Sequence, residues 1–348
     1  MPSTPGGQAS CNAEFLRSIK DRRAELILQI RSDLKTRDTF LGTHVLEHNV
    51  HGRVYPTIHQ SKGEGGGVGP GRFSYSAPAL QQIPSRRKEI AAIVKPCFLP
   101  DEGQVWVDCD QNSFEVRTFA HLVANPEILE TYRKKPLTDF HQMVGDMTNL
   151  PRVAEYSGQP NAKQLNLSMI FNSGDGAIAE KMGMPYYPDS FVPRGKTEDD
   201  RIHYKRAGLE AKKVIEHYHQ RLPGIKELAT RCTREALENG YVETAYGRRI
   251  RFPRGFKAYK ASGLLIQATA ADWNKENWAR IKKATNGSSA RLLLNTHDSY
   301  GMSMLEKNWR SVYRRVKTEI ESGNRSKVPL ILDLNGMGVN WHDALTKK

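Results

Sequence analysis

The chain of 348 residues carries 52 lysines and arginines against 38 aspartates and glutamates, a formal net charge of +14, which points to a polyanionic partner such as nucleic acid. Its four cysteines, Cys11, Cys97, Cys109 and Cys232, are scattered without a C-x-x-C spacing, which argues against a cysteine-ligated zinc site and a disulfide framework and fits a reducing cytosol. No apolar run approaches the roughly 20 residues of a membrane span, so no membrane partner is expected, and the opening MPSTPGGQAS has no apolar signal core, so residues 1–12 are expected to form a disordered leader.

From Ala13 to Leu46 the apolar positions Leu16, Ile19, Leu26, Ile27, Ile30 and Leu34 recur at helical spacing among Arg17, Lys20, Arg22, Arg23, Arg31, Lys35 and Arg37. Such a segment is either a solvated amphipathic helix or a helix lying along a phosphate backbone. HGRVYPTIHQ reads as a short strand-like piece. The glycine-rich loop after it leads into GRFSYS; its glycines permit close backbone approach to a ligand, but no G-K-S/T follows, so it is not a phosphate-binding P-loop.

Val105 to Leu122, VWVDCDQNSFEVRTFAHL, reads as a buried strand running into a helix. Alternation sets Trp106, Asp108 and Asp110 on one face and Val105, Val107 and Cys109 on the other. Carboxylates at the end of an apolar strand are costly unless a metal or a cation compensates them. Equally, Asp110 suits the N-cap of the following helix, and both readings stand at this point.

LTDFHQM places Asp139 and His141 near another helix start. In QPNAKQLNLSMIFNSGDG the helix is expected from about Gln159, with Pro160 in its first turn and Gly174 at its exit. Lys163, Leu167 and Phe171, four apart, share a face; they form a triphosphate- and base-binding face or an ordinary half-buried helix with a snorkelling lysine. VPRGKTEDDRIHYKR is expected to loop out at the surface, followed by helices over Tyr204–Arg221 and Gly224–Asn239. YVETAYGRRIRFP reads as a hairpin whose Arg248, Arg249 and Arg251, interleaved with Tyr246 and Phe252, grip a nucleic-acid backbone or form a solvated face. After a helix over LLIQATAADWNKENWARIKKA, RLLLNTHDSYGMSML is two apolar runs joined at His297-Asp298-Ser299, as in a hairpin.

Asp110 and Asp298 lie far apart in the chain but meet if both strands join one sheet. In-line phosphoryl transfer uses such a pair of carboxylates to bridge two Mg2+ ions about 3.5–4 Å apart. Oxygen ligands suit Mg2+, with Mn2+ a possible substitute. A helix bearing Lys163 would neutralise a triphosphate, and a basic surface would hold nucleic acid.

Several ordered motifs closely resemble the polymerase region of family-A DNA polymerases, of the bacterial DNA polymerase I type and its phage relatives. DQNSFEVRTFAHL is similar to the family's D-Y-S-Q-I-E-x-R…A-H-L, NAKQLNLSMIFN to its K-x3-[FY]-G-x2-Y helix, and NTHDSYG to its V-H-D-E motif. GPGRFSYSAPALQQIP, Asp139-Phe140-His141, GYVETAYGRRIRFP, QATAAD and the terminal NWHDA match further signatures, so the likeness runs from about Ala24 to the end.

The resemblance implies an α+β right-hand fold with an antiparallel-sheet palm and helical fingers, the thumb largely missing. The implied divisions are a residual thumb helix (13–45), a palm in two parts (46–124 and 246–348) and fingers (125–245). It implies template-directed addition of dNTPs to a primer on primer-template DNA, with two Mg2+ ions, in a bacterial or phage-infected cytoplasm. Asp110 and Asp298, with Gln111, become the metal ligands and Asp108 a bystander. Lys163 and His141 meet the triphosphate, Leu167 and Phe171 shape the base and sugar pocket, and Glu115 excludes a 2′-hydroxyl. Arg72, Gln267, His297, Arg248 and Arg249 contact DNA.

Three departures qualify this. Gln159 stands where the family places an arginine that serves the triphosphate, which should weaken nucleotide affinity unless another base substitutes. Leu167 replaces an aromatic. Ser299 replaces a glutamate, a form shared with single-subunit RNA polymerases, which keeps an RNA polymerase or primase as an alternative; Glu115 argues for deoxynucleotides. A catalytically weak DNA-binding subunit is a third reading. Because the match leaves room for little thumb, a separate thumb and exonuclease subunit is also expected.

Overall fold

The computed structural model describes residues 2, 6–61, 69–85, 87–156, 158–192, 195, 197–222 and 224–346. Most of the glycine-rich loop and part of the expected leader lie outside them. The chain begins with α1 (Ala13–Ser18) and α2 (Arg22–Lys35), whose N-termini are closed by the side chains of Asn12 and Asp21, and a π-helical segment, Thr36–Glu47, continues α2. Two small ribbons follow, β1 (Asn49–Val50) with β2 (Arg53–Val54) and β3 (Thr57–His59) with β4 (Ser74–Ser76), then α3 (Lys88–Val94). Strand β5 (Gln104–Gln111) runs into α4 (Phe114–Val123).

A helical body comes next: α5 (Pro126–Lys134), α6 (Phe140–Thr148), α7 (Ala162–Ile170), α8 (Asp175–Lys181), the ribbon β6 (Tyr186–Phe191) with β7 (Ile202–Ala207), α9 (Leu209–Arg221) and α10 (Gly224–Glu238). The hairpin β8 (Tyr241–Glu243) with β9 (Arg249–Arg251) leads to the long α11 (Ala261–Thr285). Strands β10 (Arg291–Thr296) and β11 (Ser299–Leu305), α12 (Trp309–Ser322), β12 (Leu332–Gly338) and α13 (Trp341–Thr346) complete the described fold.

Four strands form one antiparallel sheet in the order β10-β11-β5-β12, so the architecture is α+β, as expected. On β5, Val105, Val107 and Cys109 pack with Val312, Val316 and Ile320 of α12 in one core. Trp106, on the other face, stacks on Trp341 at 6.0 Å between centroids. It lies over Gly301, where a Cβ would come within 2.5 Å of the indole, so only glycine fits there. A larger core joins α4 to the helical body and to the first half of α11. Helix α11 therefore ties the sheet to the helical body, and burial of its Ala261, Ile266 and Trp273 makes it a shared wall.

Four local expectations change. Asp110 is the penultimate residue of β5, not a cap; Ser113, with a left-handed backbone (φ 48°), precedes α4 without a side-chain cap bond. Helix α7 starts at Ala162 because Asn161 accepts from the Gln164 N–H at 2.8 Å, which leaves Pro160 outside. Its exit is made by Asn172 in the left-handed region (φ 52°), while Gly174 opens α8. The segment expected to loop out contributes β7, and α9 begins only at Leu209, after Gly208 donates its N–H to the Pro185 carbonyl.

Candidate active site

The residues at the sheet end are fixed by register. Asp110 lies directly across from Ser299 on β11 and from Asp333 on β12, and partners across a sheet share a face. The turn from β10 to β11 is the pair His297-Asp298, made possible by His297 at φ 63°. The Gln111 N–H donates to the Asp298 carbonyl at 3.0 Å. Two acids almost 190 positions apart thus meet at one sheet end.

Burial, then the charges of Asp298 and Asp333, pushes Asp110 up to about 6. Burial likewise raises Asp298, with its own backbone N–H, His297 and Arg72 opposing. The charges acting on Asp110 are both negative, and this oxygen-only donor set suits a hard divalent cation. Among the described residues no three His, Cys, Asp or Glu side chains close into a metal cage. Gln111, expected as a ligand, buries its side chain.

Asp333 was not anticipated. Its Oδ2 accepts from Asn112 Nδ2 at 2.7 Å. Asn112 is in turn held by Arg117, fully buried, which donates to the Asn112 and Pro329 carbonyls at 2.9 and 2.7 Å and lies 4.8 Å over the Tyr132 ring. Ser299 turns its hydroxyl back onto Thr296. Asp108, the expected bystander, is buried and accepts from Asn335 at 2.8 Å.

On the helical side, Lys163 is exposed in the first turn of α7, and its backbone N–H donates to the Arg152 carbonyl at 3.0 Å. His141, buried in the first turn of α6, takes a hydrogen bond on Nδ1 from Asn166 Nδ2 at 2.9 Å. Asn166 Oδ1 accepts the buried Tyr218 hydroxyl at 2.6 Å, which orients the amide and leaves His141 Nε2 as the protonated nitrogen. Burial first, helped by Lys163 and Arg152 and opposed by Asp139, pulls His141 down to about 4. It is therefore a neutral donor near pH 7.

Arg152 is a second residue the motifs did not flag. Its Nε pairs with Asp139 Oδ2 at 2.5 Å, and its charge reaches His141. Gln159 sits outside α7 and accepts the Tyr156 N–H at 3.2 Å. Leu167 and Phe171 are half-buried at the edge of the main core, and Gly263 of α11 lies under the Phe171 ring.

The expected DNA-contacting residues divide. Arg72 is paired with Glu115; both line a cavity of about 190 Å3 with Phe73, Asn274, His297 and Asp298. Gln267 is half-buried on α11. Arg248 is a strut: it donates to Asp272 at 2.8 Å and to the Pro70 and Ala268 carbonyls at 2.8 and 3.0 Å, so these bonds compete with any grip on DNA. Arg249 pairs with Glu243 at 2.8 Å and stacks on Tyr241.

A family model described as DNA polymerase family A matches residues 2–343. The chain is 55% identical over 346 residues to the DNA polymerase DpoZ of Vibrio phage phiVC8, covering 99% of this chain and 54% of that protein. It is 45% identical to DpoZ of Salmonella phage PMBT28 (98% and 56% covered) and 26% identical to DNA polymerase I of Pseudomonas aeruginosa (99% and 36%). The chain spans about half the length of the DpoZ proteins it matches. Its fold is that of the POL domain of Pol1 from M. smegmatis, solved with DNA primer-template and dNTP: TM-score 0.77 at 22% identity, covering 98% of this chain and 58% of that one.

Proposed function

Since this chain belongs to DNA polymerase family A, we propose that it extends a DNA primer on a template with deoxynucleoside triphosphates. The observation that carries this is the meeting of Asp110 and Asp298 at one sheet end, joined by the Gln111 N–H bond to the Asp298 carbonyl. We assign 46–124 and 246–348 to a palm and 125–245 to fingers.

Asp110, Asp298 and the Gln111 carbonyl would hold two divalent cations, Mg2+ or Mn2+. When bound, these supply Lewis-acid activation of the primer hydroxyl and neutralise charge on the triphosphate. Asp333, kept in place by Asn112, would support the cations from outside the pair, as an outer carboxylate does. Lys163 and Arg152 offer cations to the triphosphate, Arg152 standing in for the arginine absent at Gln159. His141 adds a neutral Nε2–H donor, fixed by Asn166 and Tyr218.

Leu167 and Phe171 shape the pocket for base and sugar. Glu115, in the cavity that Asp298 also lines, would exclude a ribose 2′-hydroxyl by its bulk and charge. Gln267 and His297 face the duplex track, and Arg72 joins them once released from Glu115.

Template-directed extension of a labelled primer by the purified chain, dependent on Mg2+ and abolished by EDTA, tests the whole reading. Absence of extension with either Mg2+ or Mn2+ would defeat it.

A further inference from the structure

The ribbon of β6 and β7 pairs Tyr187 with Arg206, Asp189 with Tyr204 and Phe191 with Ile202. Alternation along each strand puts all six side chains on one face. Side-chain contacts agree: the Phe191 and Tyr204 rings meet edge-on at 6.0 Å, and the Tyr204 hydroxyl donates to Asp189 Oδ2 at 2.9 Å.

The opposite face is seated on α8. Lys205 pairs with Glu180 and lies 5.1 Å over the Tyr186 ring, and Tyr186 donates to Glu180 as well. Contact is so close at Gly176 that a Cβ there would stand 2.0 Å from the Lys205 carbonyl oxygen. The seating matters because a two-stranded ribbon alone is marginally stable in water. The first face is left open to solvent, with Tyr187 55%, Phe191 50%, Ile202 46% and Tyr204 43% exposed.

The chemistry of this open face is that of a single-strand platform. Aromatic faces accept any unpaired base, and arginine takes the backbone between them. Arg206 is the cation of this face; Lys205, on the other face, is paired with Glu180, and Arg201, before β7, is paired with Glu198. Arg206 meets Asp189 only at 3.7 Å, so most of its donors remain available to a phosphate. A phosphate backbone suits Arg206, and the whole chain's charge of +14 favours a polyanionic partner.

Position narrows the occupant. Helix α8 follows α7 after 171–174, and it is Gly176, in its first turn beside the Phe171 end of α7, that packs against Lys205 of β7. With Phe171 toward the base and Lys163 toward the triphosphate, the ribbon stands on the side from which template bases arrive.

We propose that the open face of the β6–β7 ribbon binds the unpaired template strand ahead of the base being copied, stacking its bases on Tyr187, Phe191 and Tyr204 with Arg206 at the backbone. The identity of the strand as template rests on the polymerase reading; its single-stranded character does not.

The test uses fluorescence anisotropy with a labelled oligothymidylate of about 20 nucleotides and with a blunt duplex. The variant Tyr187→Ser/Phe191→Ser should bind the oligothymidylate roughly tenfold more weakly, the loss of one or two stacked bases, while blunt-duplex binding and the melting temperature hold. Tyr187→Trp/Phe191→Trp should retain single-strand binding. In primer extension the wild type should favour a long template overhang over a single-nucleotide one, and the serine variant should lose that preference. Unchanged oligothymidylate binding in the serine variant would overturn the proposal and leave the face to a protein partner. If no template is extended, the polymerase reading fails, but the anisotropy comparison still decides whether the ribbon binds single strands.

Discussion

Arg72 and Glu115 are ion-paired across a cavity that Asp298 also lines. The residue expected to touch the duplex and the residue expected to gate the sugar therefore hold each other. Each must be released before it serves its own partner. Glu115→Ala should both free Arg72 and remove the carboxylate that rejects a 2′-hydroxyl. Incorporation of rNTPs relative to dNTPs should rise at least about tenfold, roughly 1.4 kcal/mol of lost discrimination. Single-nucleotide kinetics with paired rNTP and dNTP check it; an unchanged ratio would remove Glu115 from the gate.

The second prediction concerns Arg152. Arg152→Ala should raise KM for dNTP about tenfold with a smaller change in kcat, because a triphosphate cation contributes largely uniform binding. Gln159→Arg in that background should restore part of the loss by returning a cation to the turn before α7. Failure of the second substitution to help would mean that Arg152 acts only through its pair with Asp139.

His141 predicts a pH dependence of stability. Its folded value of about 4 lies below the ordinary 6.5, so the unfolded chain takes up its proton first. The neutral imidazole's contribution is complete above about pH 6.5 and is lost as pH falls toward 4, on the order of 3 kcal/mol in full. Thermal melts of the wild type and of His141→Gln across that window should converge at low pH. Parallel curves would show that His141 is not the group responsible.

Asp333→Asn should weaken cation binding without disturbing the fold, since an amide keeps the size of the side chain. Mn2+ binding followed by electron paramagnetic resonance should weaken by about three- to tenfold, the scale of an outer-shell change. The Mg2+ concentration for half-maximal extension should rise in parallel. Unchanged Mn2+ affinity would leave Asp333 a purely structural partner of Asn112.

Which of these residues the sequence revealed follows from where their signal lies. Asp110 and Asp298 were legible because strand alternation and fixed motif offsets both mark them, and the sheet register brings them together as expected. Asp333 was not: a lone aspartate in LILDLNG has no offset to a catalytic motif, and its significance is a cross-strand pairing with a residue 223 positions earlier. Arg152 belongs to no motif and reaches the site through a hydrogen bond to Lys163 and a pair with Asp139. The bonds of Arg248 to Asp272 and to two carbonyls were equally out of sight, because their partners lie outside the hairpin. The β6–β7 ribbon was hidden by Pro188 and by dense charge, which read as a loop, although its cross-strand pairs carry a clear two-residue alternation once the register is known.

The most direct test of the paired carboxylates is primer extension by Asp298→Asn beside a DNA-binding measurement on the same protein. Loss of the carboxylate should lower extension by at least about a thousandfold, on the order of 4 kcal/mol, while primer-template affinity stays within about twofold because the basic surface is untouched. Extension within tenfold of wild type would contradict the assignment of Asp298 to the reacting centre.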